Sequence, residues 1–168
     1  MSATLSNTLK STAGQVLGAL CGVLVKAKAN LADRNIAEEI ILNDRLAPDM
    51  FPFTRQVQTA TDMVSRGAAR LAGVDFLTLS DDEKTLDDLI LRLRKVNAFI
   101  QGADDAAIDA SAQKILSIPM GPETRDFPGE AYLLNFVLPN LYFHATMAYA
   151  ILRHNGVPLG KRDFLTPA

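Results

Sequence analysis

The sequence predicts an all-α protein, a four-helix bundle with a small β-hairpin in the connection between its third and fourth long helices. Three observations carry that expectation. Four long segments repeat apolar residues at three- and four-residue steps, the spacing that lines one face of a helix. Capping and stop residues fall at the ends of those segments. Between residues 103 and 129 the period changes to a β-branched run, a Gly-Pro turn and a short polar-apolar run, the pattern of a hairpin. With 168 residues of which 48% are hydrophobic, the chain can bury one sizeable core but not two, so residues 1–168 are expected to form one domain.

The first helix is expected from about Ser6 to Asn30, with Leu5, Leu9, Ala13, Val16, Leu20, Leu24, Ala27 and Leu31 on its buried face. A short helical turn follows around Ile36 to Leu42. Pro48 then pushes Ala47 out of the helical region, and Asp49 is placed to cap a second long helix with Pro52 in its first turn. That helix runs to about Leu71, buries Phe53, Val57, Ala60, Val64, Ala68 and Leu71, and stops at Gly73. Ser80 with Glu83 three residues on reads as a capping box for the third helix, whose stripe is Leu86, Leu89, Ile90, Leu93, Val96 and Ile100. Gly102 closes it. The hairpin is expected near Lys114 to Pro119 and Thr124 to Phe127. From Glu130 the helical period returns through Leu133, Phe136, Val137, Asn140, His144, Met147 and Ile151, ending at Asn155-Gly156. Pro139 inside this fourth helix removes an amide and should kink it.

Composition excludes several functions. Seventeen basic and nineteen acidic residues, with no long run of either sign, leave no electrostatic footprint for nucleic acid. The apolar run Val16 to Val25 has about ten residues against the ~20 needed to span a bilayer, so neither export nor a membrane partner is expected. Cys21 is alone, cannot form an internal disulfide, and reads as a small core-flanking residue in a reducing compartment, the cytoplasm. Glycine-rich phosphate loops, nucleophile elbows and internal repeats are absent from the sequence.

The two histidines, His144 and His154, both lie on the fourth helix. Ten residues separate them, about 15 Å along the axis and about 80° around it, so they cannot share a metal ion. His154 sits in the last turn, where the helix dipole and free carbonyls suit a capping side chain. His144 falls on the buried stripe one turn after Asn140, and buried polar groups need partners. On the second helix Gln56 lies about 80° from the centre of the apolar stripe, whereas Gln58 points further toward solvent. A buried network of Gln56, Asn140 and His144 is therefore expected. Asp81, Asp82, Asp104, Asp105 and Asp109 read as solvated loop and first-turn carboxylates, and Phe164 and Leu165 of GKRDFL as a tail folded back on the bundle.

The pattern His144, Ile151-Leu152-Arg153 and Gly156 resembles the last helix of DinB/YfiT-like proteins, where a metal-binding histidine is followed nine residues later by arginine and twelve later by glycine. The blocks LAPDMFPFTRQVQTATD and FPGEAYLLNFVLPNLYFHATMAYAILRHNG, with the GKRDFL ending, are similar to an uncharacterised bacterial branch of that superfamily, a domain of unknown function. The resemblance implies a bundle whose first two long helices are not simple neighbours, so that connections cross. It also implies, for metal-binding members, one histidine on the second helix and a pair at i and i+4 on the fourth holding zinc or nickel. Some members are thiol-dependent transferases and others are linked to DNA damage or stress. His144 matches the second histidine of the pair, Asn140 stands where the first would be, and Gln56 is the nearest counterpart on the second helix. One imidazole and two carboxamides suit zinc and nickel poorly, so no metal and no other cofactor is expected.

Three readings follow. The first is a metal-free protein that binds a small-molecule ligand at Gln56, Asn140 and His144. The second is a metal-dependent thiol transferase or hydrolase that uses His144 as base or as one ligand of a weak site. The third is a scaffold that self-associates as a homodimer, with the face around Tyr149 as the place to test. No catalytic residue is assigned, and whether the protein is an enzyme stays open.

Overall fold

The structure, a computed structural model, describes residues 4–166. The helix α1 (Leu5–Asp33) begins at Thr4, whose hydroxyl accepts a hydrogen bond from Asn7 N–H. Its face of Leu9, Ala13, Val16, Leu20, Leu24 and Ala27 is almost wholly buried. By length and composition α1 could cross a membrane, but that apolarity forms one wall of the core. The short α2 (Glu38–Leu42) follows, and then α3 (Phe53–Ala72), which stops at Gly73 with a left-handed φ of 69°.

Two caps differ from expectation. Asp49 does not cap α3; Pro52 holds the N-cap position with no side-chain hydrogen bond, and Phe53 N–H instead reaches the Asp44 carbonyl at 2.8 Å. The capping box of α4 (Leu86–Gln101) is Thr85 with Asp88, not Ser80 with Glu83. The same signature recurs five residues later, and Ser80 and Glu83 are drawn away to a buried arginine described below. Glu38 of α2 adds a further acceptor for α4, taking Leu86 N–H at 2.7 Å.

The short α5 (Asp105–Ala110), not anticipated as a helix, is capped by Asp104. Asp109 accepts Ser6 N–H at 2.7 Å and so satisfies a free amide of α1, while Asp105 pairs with Lys10. These carboxylates tie α5 to α1 and are not merely solvated. The hairpin forms as expected. Strands β1 (Ile115–Met120) and β2 (Glu123–Pro128) pair antiparallel, with Met120 opposite Glu123. Gly121, at φ 65°, provides the positive dihedral that a type II′ turn needs at its first central position.

The fourth long helix is a composite. It comprises α6 (Gly129–Tyr132), a π-helical turn over Leu133–Val137, and α7 (Leu138–His154). Leu138 N–H bonds the carbonyl of Leu133, five residues back. The disturbance expected at Pro139 is thus taken up by a widened turn just before the proline. Opposite that turn α3 carries Gly67, where an added Cβ would lie 2.7 Å from Val137 Cγ1, so the two helices approach more closely than any side chain at residue 67 would allow.

Around the bundle α4 lies between α1 and α3, and α7 lies on the other side between the same two helices. The first two long helices are therefore diagonal and the chain crosses the end of the bundle between them. The last helix, α8 (Lys161–Leu165), folds back: Gln15 donates to the Phe164 and Leu165 carbonyls, Lys26 pairs with Asp163, and Phe164 meets Tyr149 edge-on at 5.9 Å. Leu165 itself stays exposed.

Candidate functional site

The extensive contact between α3 and α7 brings Gln56 and His144 together. Gln56 is 2% exposed and His144 9%, and Gln56 Oε1 lies 2.7 Å from His144 Nδ1. Gln56 Nε2 donates to the backbone carbonyl of Phe51 at 3.1 Å. A carbonyl can only accept, so the NH2 of the amide must face Phe51 and its oxygen must face the histidine. An oxygen there requires a proton on Nδ1. In the neutral ring the lone pair then sits on Nε2.

Nε2 has no hydrogen-bond partner among the described residues. No side-chain nitrogen or oxygen sealed from solvent lacks a partner in that set, so Nε2 opens to solvent. Two aromatic rings flank the imidazole. Phe51 stacks with it at 6.4 Å between centroids and Phe143 meets it edge-on at 5.1 Å; both rings are about half exposed. The guanidinium of Arg55 lies 5.9 Å from the centre of the Phe51 ring. Burial, with the Arg55 charge second, holds the His144 pKa below its ordinary value and favours the neutral ring.

Asn140 does not join this pair. It is half-buried, and its amide donates to the Phe136 carbonyl at 2.7 Å, one turn back on its own helix. The three-residue network expected from the sequence is therefore a two-residue network plus a local backbone bond. Nor does the donor set fit a metal of the kind that the DinB/YfiT resemblance implies. Nδ1 is committed to Gln56, Asn140 presents its NH2 to a carbonyl, and His144 Nε2 is the one nitrogen donor left. No group of three His, Cys, Asp or Glu side chains placed to hold an ion occurs among the described residues.

His154 is exposed and its side chain makes no hydrogen bond among the described residues. The capping expected of it is performed by its neighbours. Asn155 Nδ2 donates to the Ile151 carbonyl at 2.8 Å and to Asp44 Oδ2 at 2.6 Å, Arg153 donates to the Val157 carbonyl, and Arg34 donates to the Asn155 carbonyl. Tyr149, offered above as an assembly face, is half-buried and covered on one side by Phe164 of the chain's own tail. Cys21 flanks the core as expected, and burial raises its pKa.

A second polar centre, not foreseen from the sequence, lies between α3, α4 and the loop before α4. Arg92 is 4% exposed. Its guanidinium pairs with Asp62 at 2.6 Å, Glu83 at 2.8 Å and Asp81 at 3.0 Å, and donates to Thr61 Oγ1 and the Ser80 carbonyl. Glu83 also accepts from Gln58, which is buried rather than turned toward solvent. Arg55 pairs with both Asp81 and Gln58. Burial alone would raise the Asp81 pKa; the hydrogen bond from Arg55 and the charges of Arg92 and Arg55 outweigh it and hold the carboxyl below its usual range. Asp81 is therefore no free loop carboxylate. One sequence signal could have found the centre: Arg92 stands three residues after Leu89 and four before Val96, inside the apolar stripe. Two cavities border it, of about 410 Å³ beside Ser80 and Lys95 and about 620 Å³ beside Arg55 and Asn43.

A family model described as a domain of unknown function, DUF1993, matches residues 6–165. The crystal structure of a DinB family member protein from Shewanella denitrificans is 34% identical to this chain, with a TM-score of 0.88, covering 97% of this chain and 94% of that one. No curated protein matches the chain.

Proposed function

This chain belongs to the DUF1993 family of DinB-like bundle domains, and from that premise we propose that it is a metal-free binding protein which takes a small molecule at His144. The observation that carries the reading is Nε2 of an otherwise buried histidine, without a partner among the described residues and placed between two half-exposed aromatic rings. A nitrogen held at the surface of the core without a partner is costly to keep unless water or a ligand completes it. Arg55, close enough to depress the histidine pKa, has its charge engaged by Asp81 and so leaves the described surroundings of the ring without a free cation to draw an anion.

On this reading the pocket in which metal-binding DinB-like proteins hold an ion persists with its ligands replaced. Gln56 anchors the remaining histidine in place of a second imidazole. The cytoplasm is the proposed location, because the free, core-flanking Cys21 has no pairing partner and suits a reducing compartment.

Protein-observed NMR with a set of small aromatic and aliphatic molecules tests the ligand. Shifts should concentrate at Phe51, Gln56, Phe143 and His144; shifts confined to other parts of the bundle would overturn the assignment. Metal analysis of the purified protein, with melting in zinc, nickel and a chelator, tests the metal-free part. A stoichiometric ion whose binding is lost in His144→Ala would refute it.

A further inference from the structure

The chain Phe51 carbonyl, Gln56 amide, His144 ring has a direction. Its first member can only accept, which orients the second, whose oxygen accepts from the third and so keeps the proton on Nδ1. At neutral pH the exposed end of that relay is a lone pair, and the relay cannot reverse while Gln56 keeps both bonds. Resting on the reading of His144 as a binding site, we propose that its ligand is an apolar molecule carrying a hydroxyl, thiol or neutral N–H, which donates to Nε2 while its body lies against the Phe51 and Phe143 rings.

The alternatives fail on the same geometry. A carboxylate or phosphate oxygen would face a lone pair across a hydrogen-bond distance and find no proton there. A cationic head would meet the guanidinium of Arg55, which already lies over the Phe51 ring. The carbonyl of Phe51 is occupied by Gln56, so it offers a second group little. The half-exposed rings are apolar surface on both sides of the polar atom, and an apolar body covers them with no polar group left unpaired. Gln56 is a positioning residue in this scheme, because it sets which nitrogen of His144 carries the proton.

Phenol, toluene and benzoate are matched probes: one ring, with a donor, with nothing and with an anion. Titration followed by nitrogen-detected NMR of the His144 ring should show Nδ1 protonated and Nε2 bare in the free protein. Phenol should then bind roughly two- to tenfold tighter than toluene, the span of one net hydrogen bond, and should move the Nε2 resonance. Benzoate should bind weaker than toluene. Equal affinity for phenol and toluene at this place would overturn the donor requirement while leaving His144 as a binding site. Tighter benzoate, or a free ring protonated at Nε2, would overturn it as well. If none of the three perturbs the ring, the binding site and its ligand class fall together.

Gln56→Leu, which removes the relay, should mix the two tautomers and shrink the preference for phenol. An unchanged tautomer and preference in that variant would refute the positioning role. The tautomer measurement on the unaltered protein stands even if the variant folds poorly.

Discussion

The bundle holds two buried polar centres on opposite flanks of α3, and they are solved in opposite ways. Arg92 is charged, nearly inaccessible, and matched by three carboxylates, a hydroxyl and a carbonyl, so each nitrogen of its guanidinium has a partner. His144 is neutral, bonded on one side and open on the other. A charge taken out of water must be fully paired or it costs several kcal/mol, of order the stability of a domain. A neutral ring with one free nitrogen costs far less. The first arrangement locks the loop before α4 to the bundle; the second leaves chemistry available. The Arg92 centre is accordingly a structural clasp, and the His144 centre, with its open nitrogen, is where the proposed ligand is placed.

That contrast is most directly broken at Arg92. Arg92→Met keeps much of the side-chain volume but strands Asp62 and Glu83 without their cation, the more damaging half of a broken buried pair. The expected loss is about 3–5 kcal/mol, seen in urea unfolding or as a fall of roughly 6–20 °C in melting temperature. A loss under about 1 kcal/mol would mean that the carboxylates simply turn to water and that no clasp exists. On the other flank Gln56→Leu leaves Nδ1–H and the Phe51 carbonyl unpaired but no charge buried. Its cost should be about 1–3 kcal/mol by the same measurement, below that of Arg92→Met.

Acid separates the centres by pH. Native His144 has a lower pKa than the free imidazole at about 6.5, so between those values the unfolded chain holds the extra proton. The stability associated with neutral His144 is complete above about pH 6.5 and is lost as pH falls through that value toward the native one. Asp81 has the opposite origin: its native pKa lies below the ordinary 3.8. Its contribution is complete above that value and is lost as pH falls toward the native one. Unfolding measured against pH should therefore show a His144 step near the imidazole range, absent in His144→Asn, and an Asp81 step only in strong acid. A His144→Asn curve parallel to the parent between pH 7 and 5 would contradict the depressed pKa.

How far each region was legible in the sequence follows the same division. The four long helices and the hairpin could be read because their apolar spacing and their glycines act locally; Gly73 and Gly121 stand at the positive φ that their turns require. The Gln56–His144 pair could be read because His144 lies on the periodic face of its helix and Gln56 beside that of α3, and those faces meet. Asn140 was misplaced because a carbonyl one turn back on the same helix is a nearer acceptor than any side chain across the bundle. The Arg92 clasp was hidden because its partners come from α3 and from a loop of irregular backbone, whose path no periodicity describes. Gln58 was turned to solvent for the same reason: its partner Glu83 sits on that loop. Ser80 and Glu83 showed a genuine capping signature, but Thr85 and Asp88 competed for the same helix and won.

The smallest effect is expected at the other histidine. His154 occupies the last turn of α7, where position alone suggests a cap, yet its ring is exposed and the carbonyls of Ile151, Leu152 and Arg153 are already met by Asn155 and by the Val157 and Gly156 amides. His154→Ala should change stability by no more than about 0.5 kcal/mol. Asn155→Ala removes two hydrogen bonds, one to its own helix and one to Asp44, and should cost about 1–2 kcal/mol. The Asp44 bond is the one that matters most to the site, since the Asp44 carbonyl also receives the first amide of α3, three residues before Gln56. If His154→Ala proves the costlier of the two, the end of α7 is held by the dipole and charge of its last turn rather than by bonds across to the segment that starts α3.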